Sequence, residues 1–285
     1  MSNFWARTIT GLSMVFVLLA ALFFSYWLVA AFFLLVTFSA LWEFYNLFTT
    51  ENSFPQKIFG ITGGCLLYIS LVLMQWADDK FGEPSPFILL PILVPLLLIF
   101  LAIIAEVFRK KPFPVTNIGI TLTGIFYIAL PLGLLNLMNT KDTVHFLHFP
   151  AYLTGYFLIT WIYDTGAYLY GKQFGRHPFF ERISPKKTWE GTIAGVIVAS
   201  AAAVGLYFLV REIRLVDWLA LTGLVIVFGT FGDLAESLFK RSLGIKDSGN
   251  LLPGHGGVLD RFDTFFLSAP FVYLYFLFTQ IVIIR

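Results

Sequence analysis

Charged residues are scarce in this chain of 285 residues: only 13% are charged, whereas soluble domains usually carry about 25%. Hydrophobic residues make up 58% of the chain, and its mean hydropathy is +0.81. This composition excludes an ordinary soluble domain and indicates an integral membrane protein. The formal net charge of +2 provides no strongly basic surface, so no nucleic acid is expected as a partner.

Cysteine is scarcer still, because Cys65 is the only one. A single cysteine within an apolar run excludes an internal disulfide framework and a cysteine-rich metal site. The first apolar run follows Arg7 without a convincing small-residue cleavage site. We therefore interpret this run as a retained membrane span rather than a removed signal peptide.

Long apolar runs predict the fold class, an all-α polytopic bundle of membrane helices. Runs of about 20 apolar residues suit helices that cross some 30 Å of hydrocarbon, and they lack the alternation of barrel strands. The nine predicted helices are 9–24, 27–48, 57–76, 86–108, 115–138, 151–172, 190–210, 214–243 and 262–284.

The distribution of basic residues predicts the orientation of the bundle. With a cytosolic N-terminus and an external C-terminus, fourteen of the nineteen Lys and Arg residues lie on the cytosolic side.

We divide the chain into 1–150, with about five spans of generic membrane sequence, and 151–285, which contains the polar motifs. In the second part, Gly191, Gly195 and Ala199 form a stripe of small residues that we expect to pack inside the fold.

Charge gathers in two segments, 164–190 and 233–263, which hold 17 of the 36 charged residues. Both segments face the cytosol in the predicted topology. Charged side chains close to hydrocarbon are costly, so several together indicate a polar cavity or ion pairs. We take these segments as the candidate site.

The end of the eighth predicted helix carries a polar stripe. Its members are spaced to share one helical face: Asp233, Glu236, Ser237, Lys240 and Arg241. An internal ladder of ion pairs would explain the stripe equally well.

The start of the ninth predicted helix adds Asp260 and Asp263, three residues apart. Together with Asp233 they could form a cluster of oxygen ligands, which suits magnesium or manganese better than zinc. Helix capping explains one such carboxylate easily, but it does not explain three carboxylates beside Arg261.

Two further motifs suit phosphate. The backbone can approach an oxyanion closely where residues lack Cβ atoms, as at Gly254, Gly256 and Gly257. His255 lies among these glycines, and it could be a structural residue, a phosphate contact, or a general acid or base. In "ISPKKTWEG", Ser184 is predicted to cap a helix that begins at Pro185, which would leave Lys186 and Lys187 near its positive end. A charged loop is the alternative for this second motif.

The stretch from Ser237 to Asp263 resembles the signature of phosphatidate cytidylyltransferases, also called CDP-diacylglycerol synthases. The matching positions, in order, are Ser237, Lys240, Arg241, Lys246, Asp247, His255, Gly256, Gly257, Asp260, Arg261 and Asp263. The upstream "DTGAYLYGKQFG" and "SPKKTWEG" also resemble bacterial members.

This resemblance implies a polytopic, dimeric membrane enzyme that makes CDP-diacylglycerol and pyrophosphate from CTP and phosphatidate and that depends on magnesium. For this chain we therefore expect a homodimer in the bacterial plasma membrane, with 151–285 as the catalytic region. We expect one or two Mg²⁺ ions, with Mn²⁺ as a substitute, on Asp233, Asp260 and Asp263, and we keep Asp164 and Glu236 as additional candidates. The expected phosphate-binding residues are Ser184, Lys186, Lys187, Lys240, Arg241, Lys246, Gly254, His255, Gly256, Gly257 and Arg261.

Two rival functions remain open at this point. A CTP-dependent lipid-alcohol kinase would use a base such as Asp164 or His255 to activate a hydroxyl group. An ion-coupled transporter could also hold carboxylates at broken helices, but it would predict paired half-repeats, which the sequence lacks.

Overall fold

The computed structural model describes residues 3–81, 86–139, 150–249, 251 and 256–283. Within these residues a helix lies at each of the nine predicted positions. In the described part of the chain, seven helical segments are long and apolar enough to cross a membrane: Tyr26–Leu47, Lys57–Asp78, Leu90–Arg109, Pro114–Leu137, Trp189–Leu209, Leu215–Ser242 and Leu259–Thr279. The protein is thus a mostly helical, polytopic membrane protein, as its composition predicts.

The helices before residue 140 are α1 to α6. Their bounds are α1 Asn3–Phe24, α2 Tyr26–Leu47, α3 Lys57–Phe81, α4 Leu90–Arg109, α5 Pro114–Gly124 and α6 Leu130–Leu137. A 3₁₀ turn at Pro86–Leu89 precedes α4, and a π turn at Ile125–Ala129 joins α5 to α6. This π turn ends just before Pro131, where the missing N–H and the proline ring disturb regular α-helical bonding.

The remaining helices are α7 to α11. Their bounds are α7 Ala151–Phe174, α8 Trp189–Leu209, α9 Leu215–Leu224, α10 Thr230–Ser242 and α11 Leu259–Ile283. A second π turn, Val225–Gly229, joins α9 to α10. Between α7 and α8 lie two short antiparallel strands, β1 Pro178–Phe180 and β2 Ser184–Thr188.

These strands add a short hairpin to the mostly helical fold, and they correct the predicted helix start at Ser184 and Pro185. Helix α8 begins five residues later, at Trp189, because the hydroxyl of Thr188 caps it by accepting a hydrogen bond from the Gly191 N–H at 3.2 Å. Ser184 pairs with Phe180 in the hairpin instead. The two lysines of this motif therefore lie on a strand rather than at a positive helix end.

The chain forms two compact units. The first unit consists of Met1–Leu137 and Asp247–Phe262, and the second consists of Met138–Lys246 and Asp263–Arg285. In the first unit, the hydroxyl of the fully buried Tyr45 on α2 donates to the Thr121 carbonyl at 2.6 Å. Its ring lies where a Cβ on Gly60 or Gly124 would stand, so α2 packs tightly against α3 and α5.

In the second unit, α7 and α8 pack along the stripe of small residues, as the sequence predicts. A Cβ on Gly191 would lie 2.6 Å from the Ala167 carbonyl oxygen, and one on Gly195 would lie 2.9 Å from the Tyr163 ring. Ala199, one turn further along, is fully buried. The stripe thus serves close packing between two helices of the same unit.

Candidate active site

In the first unit, Asp260 closes a turn at the start of α11. Its Oδ2 accepts hydrogen bonds from the backbone N–H of Ser248 at 3.0 Å and from that of Gly257 at 2.9 Å. The carboxylate thereby ties together the two described ends of the glycine-rich loop. These two bonds hold the Asp260 side chain in a defined place, and both donors precede α11, which begins at Leu259.

Two glycines of this loop, Gly256 and Gly257, lie where a side chain would not fit. Gly256 has a φ of +84°, which L side chains rarely adopt, and a Cβ there would lie 2.7 Å from Oδ2 of Asp260. A Cβ on Gly257 would lie 2.0 Å from the Ser248 hydroxyl oxygen. The predicted site residues Gly254 and His255 lie outside the described residues.

Sequence reasoning missed Glu43, a buried carboxylate on α2 that contacts the same loop. Only 4% of Glu43 is exposed. Its Oε2 accepts from the backbone N–H of Leu259 at 2.9 Å and from the Ser248 hydroxyl at 3.4 Å. The one signal available was an acidic residue inside an otherwise apolar span, which is costly unless it has partners.

In the second unit, an ion pair joins the hairpin to α10. The Nζ of Lys187 lies 2.5 Å from Oδ2 of Asp233, and both side chains are partly exposed. The Ser237 hydroxyl, one turn along α10, donates to the other carboxylate oxygen of Asp233 at 3.3 Å. The structure therefore brings together residues from the two charged segments that the sequence singled out.

Asp263 lies near Asp233 because α10 and α11 approach closely at Gly232. A Cβ on Gly232 would lie 2.5 Å from the Asp263 carbonyl oxygen. The Asp263 carboxylate accepts from the Thr264 N–H at 2.7 Å, and it interacts electrostatically with Asp233, Asp164 and Lys187. Three of the predicted acidic residues thus share one region of the second unit.

In the C-terminal part of the predicted polar stripe on α10, the side chains pair with neighbours along the same segment. Glu236 is fully buried and makes an ion pair with Lys240, four residues later. Arg241 is exposed, and its guanidinium donates to the Ile245 carbonyl at 2.8 Å. For Glu236 and Lys240, the ladder of ion pairs that the sequence offered as an alternative is what the structure contains.

The remaining predicted phosphate ligands lie at the surface of their units. Lys186 is exposed on β2, Lys246 is exposed after α10, and Arg261 is exposed in the first turn of α11. Ser184 is partly buried in the hairpin. Exposed cations of this kind are accessible to an anionic ligand.

The donor set of the second unit suits a hard cation. Asp164, Asp233 and Asp263 present only carboxylate oxygens, which magnesium and manganese prefer. Across the described ranges, no group of three or more His, Cys, Asp or Glu side chains is arranged to hold a metal ion. The oxygen donors match the chemistry of the expected metal, whereas their arrangement among the described residues does not form a metal site, so the set of ligands stays a prediction.

Comparisons with known proteins identify the family. The model of the cytidylyltransferase family matches residues 5–279. The chain is 36% identical over 219 residues to a phosphatidate cytidylyltransferase of Staphylococcus haemolyticus, which covers 75% of this chain and 78% of that protein. Further relatives carry the same name.

The relative from Staphylococcus saprophyticus is 31% identical over 267 residues, which covers 93% of this chain and 95% of the relative. The relative from Staphylococcus aureus strain COL is 39% identical over 172 residues, or 60% and 64% of the two chains. Because the family match runs over nearly the whole sequence, this protein belongs to the cytidylyltransferase family.

Proposed function

We propose that this protein transfers CMP from CTP to phosphatidate, yielding CDP-diacylglycerol and pyrophosphate for phospholipid synthesis. The observation that carries this proposal is the match to the cytidylyltransferase family over residues 5–279, with relatives that are named phosphatidate cytidylyltransferase. The membrane helices suit a substrate whose acyl chains stay in the lipid. The polar residues of both units suit a charged nucleotide.

The reaction forms one bond and breaks one. A phosphate oxygen of phosphatidate attacks the α-phosphorus of CTP, and the bond from that phosphorus to the bridging oxygen breaks to release pyrophosphate. A phosphate monoester has a second pKa near 6, so the nucleophile is already mostly ionised at neutral pH. The protein therefore needs to position and neutralise phosphates rather than provide a strong base.

The cationic residues of the second unit are suited to this neutralisation. Lys187 is held at Asp233 by the ion pair, and Lys186 is exposed on the same strand. Lys240, Arg241 and Lys246 follow along α10 and beyond it. We assign to these residues, together with Ser184 and Arg261, the binding of the triphosphate, the lipid phosphate and the departing pyrophosphate.

Carboxylates are assigned to the metal. We propose Asp233, Asp260 and Asp263 as ligands of Mg²⁺, with Mn²⁺ as a substitute, and Asp164 or Glu236 as further ligands if a second ion binds. A bound divalent cation supplies charge neutralisation at the phosphates. Asp260 is held in place for this role by two backbone N–H groups.

The cellular setting is part of the same proposal. The bias of basic residues favours a cytosolic N-terminus and a cytosolic location of both charged segments, where CTP is available. We propose a location in the bacterial plasma membrane and a homodimeric assembly.

The test uses purified protein in detergent with phosphatidate, Mg²⁺ and CTP labelled on either the α- or the γ-phosphate. We expect the α-label in the lipid product and the γ-label in released pyrophosphate. Transfer of the γ-label to a lipid alcohol would instead identify a kinase. Absence of both transfers from folded protein would refute catalysis of either kind and leave a transport assay in vesicles as the next measurement.

A further inference from the structure

Glu43 lies far from the charged segments in the sequence, yet its carboxylate reaches both ends of the loop before α11. Its Oε2 accepts from the Leu259 N–H and from the Ser248 hydroxyl. Gly249 and Gly257 also pack against it, because a Cβ on either glycine would lie 2.8 Å or less from a Glu43 oxygen. Glu43 thus contacts the loop at four residues within the first unit.

Glu43 and Asp260 hold the same two points of the loop from different sides. The Ser248 N–H donates to Asp260, whereas the Ser248 hydroxyl donates to Glu43. The Gly257 N–H likewise donates to Asp260 while its Cα side faces Glu43. A change in the position of Glu43 would therefore move the donors that orient the Asp260 carboxylate.

Burial makes these contacts specific. A carboxylate taken out of water is costly unless hydrogen-bond donors surround it, so Glu43 restricts the loop to conformations that point Ser248 and Leu259 toward it. Helix α2 is itself anchored by the buried Tyr45, two residues further along. The restraint therefore comes from a rigid helix rather than from another loop.

We propose that Glu43 is a positioning residue for catalysis: it fixes the two described ends of the loop, at Ser248 and Gly249 and from Gly257 to Leu259, and through them the Asp260 carboxylate. It acts by accepting hydrogen bonds from the loop, which requires a side chain of this length, and it does not touch the substrate. The inference rests on the proposed function only for its kinetic consequence. Its structural consequence, a restrained loop, can be measured without turnover.

Three substitutions at Glu43 separate the effect of side-chain length from the effect of charge. Glu43→Gln keeps the length and an accepting oxygen but removes the charge, whereas Glu43→Asp keeps the charge but shortens the side chain by about 1.5 Å. Glu43→Ala removes both. The same three substitutions at Glu106 are the matched control, because Glu106 is also a buried acid of the first unit and binds Gln56, Arg109 and Asn117 instead of the loop.

We expect the kcat of Glu43→Gln to stay within about threefold of the wild-type value. Glu43→Asp and Glu43→Ala should each lower kcat about 10- to 100-fold and raise the Mg²⁺ concentration that gives half-maximal activity. Hydrogen exchange at Ser248, Gly257 and Leu259 should accelerate about tenfold or more in the Asp and Ala variants only. The Glu106 variants should lower Tm without changing the Mg²⁺ requirement or exchange at these three amides.

Several outcomes would overturn the proposal. Wild-type exchange and kinetics in Glu43→Asp would show that side-chain length is unimportant, and an impaired Glu43→Gln beside a Glu43→Asp of wild-type activity would assign the effect to charge. Equal effects of the Glu43 and Glu106 series would reduce Glu43 to a structural residue. If the wild type does not transfer CMP, the proposed function fails, whereas the exchange measurements still decide the role of Glu43 in holding the loop.

Discussion

The ammonium group of Lys187 lies 2.5 Å from the carboxylate of Asp233, so a strand residue and a residue of α10 form one ion pair. The sequence treats Lys186 and Lys187 as equivalent members of a basic motif. On a strand, successive side chains point to opposite faces, so only one of the two can point toward Asp233. The hairpin therefore distinguishes two neighbouring lysines.

The first prediction is that the two lysines differ in importance. Lys187→Ala should lower kcat/KM for CTP by about 10²- to 10³-fold, because it removes a cation placed beside a carboxylate of the candidate site. Lys186→Ala should have an effect at least about tenfold smaller. Steady-state kinetics with labelled CTP measure both. Equal losses in the two variants would contradict the role assigned to the strand geometry.

The second prediction concerns the charge of Asp260. Asp260→Asn keeps an oxygen that can accept from Ser248 and Gly257, so the loop and Tm should change little. Activity should fall about 10³-fold or more, because loss of a metal ligand removes several kcal/mol of charge stabilisation. The exposed Glu51→Gln is the control. Wild-type turnover in Asp260→Asn would refute its assignment as a ligand.

The third prediction compares two glycines that both have positive φ. Gly256→Ala and Gly244→Ala should each cost about 1–2 kcal/mol in free energy of unfolding, because both adopt left-handed backbone. Only Gly256→Ala should also lower activity, since its Cβ would displace the Asp260 carboxylate, whereas a Cβ on Gly244 meets nothing within 4 Å. Thermal unfolding and turnover, measured on the same preparations, test this difference. A fully active Gly256→Ala would contradict it.

The fourth prediction concerns the contact between α7 and α8. Gly191→Ala should destabilise the protein by about 1–3 kcal/mol, because its Cβ would lie 2.6 Å from the Ala167 carbonyl oxygen. Gly205→Ala on the same helix meets nothing within 4 Å and should be neutral or stabilising by up to about 1 kcal/mol. Unfolding in detergent measures both, and a Gly191→Ala variant as stable as Gly205→Ala would refute the packing argument.

Composition and hydrophobic run length determined the membrane class and the approximate positions of the helices. This follows because a helix must satisfy its own backbone hydrogen bonds in hydrocarbon, and a run of about 20 apolar residues is its signature. The close contact at Gly191 and Gly195 was predictable for a related reason, since small residues repeated every four positions form one face. The spacing of the signature from Ser237 to Asp263 indicated the family, and the comparison over residues 5–279 establishes it.

Tertiary structure decided what local pattern could not. Ser184 and Pro185 suit a helix start, but pairing with β1 and the cap at Thr188 place them in a strand. Glu43 could not be assigned to the Asp260 loop from the sequence, because its partners lie more than 200 residues away and hydrogen bonds across such a separation leave no periodic signal. Local spacing determines which residues share a helix face, whereas the folded chain alone determines which buried carboxylate meets which loop.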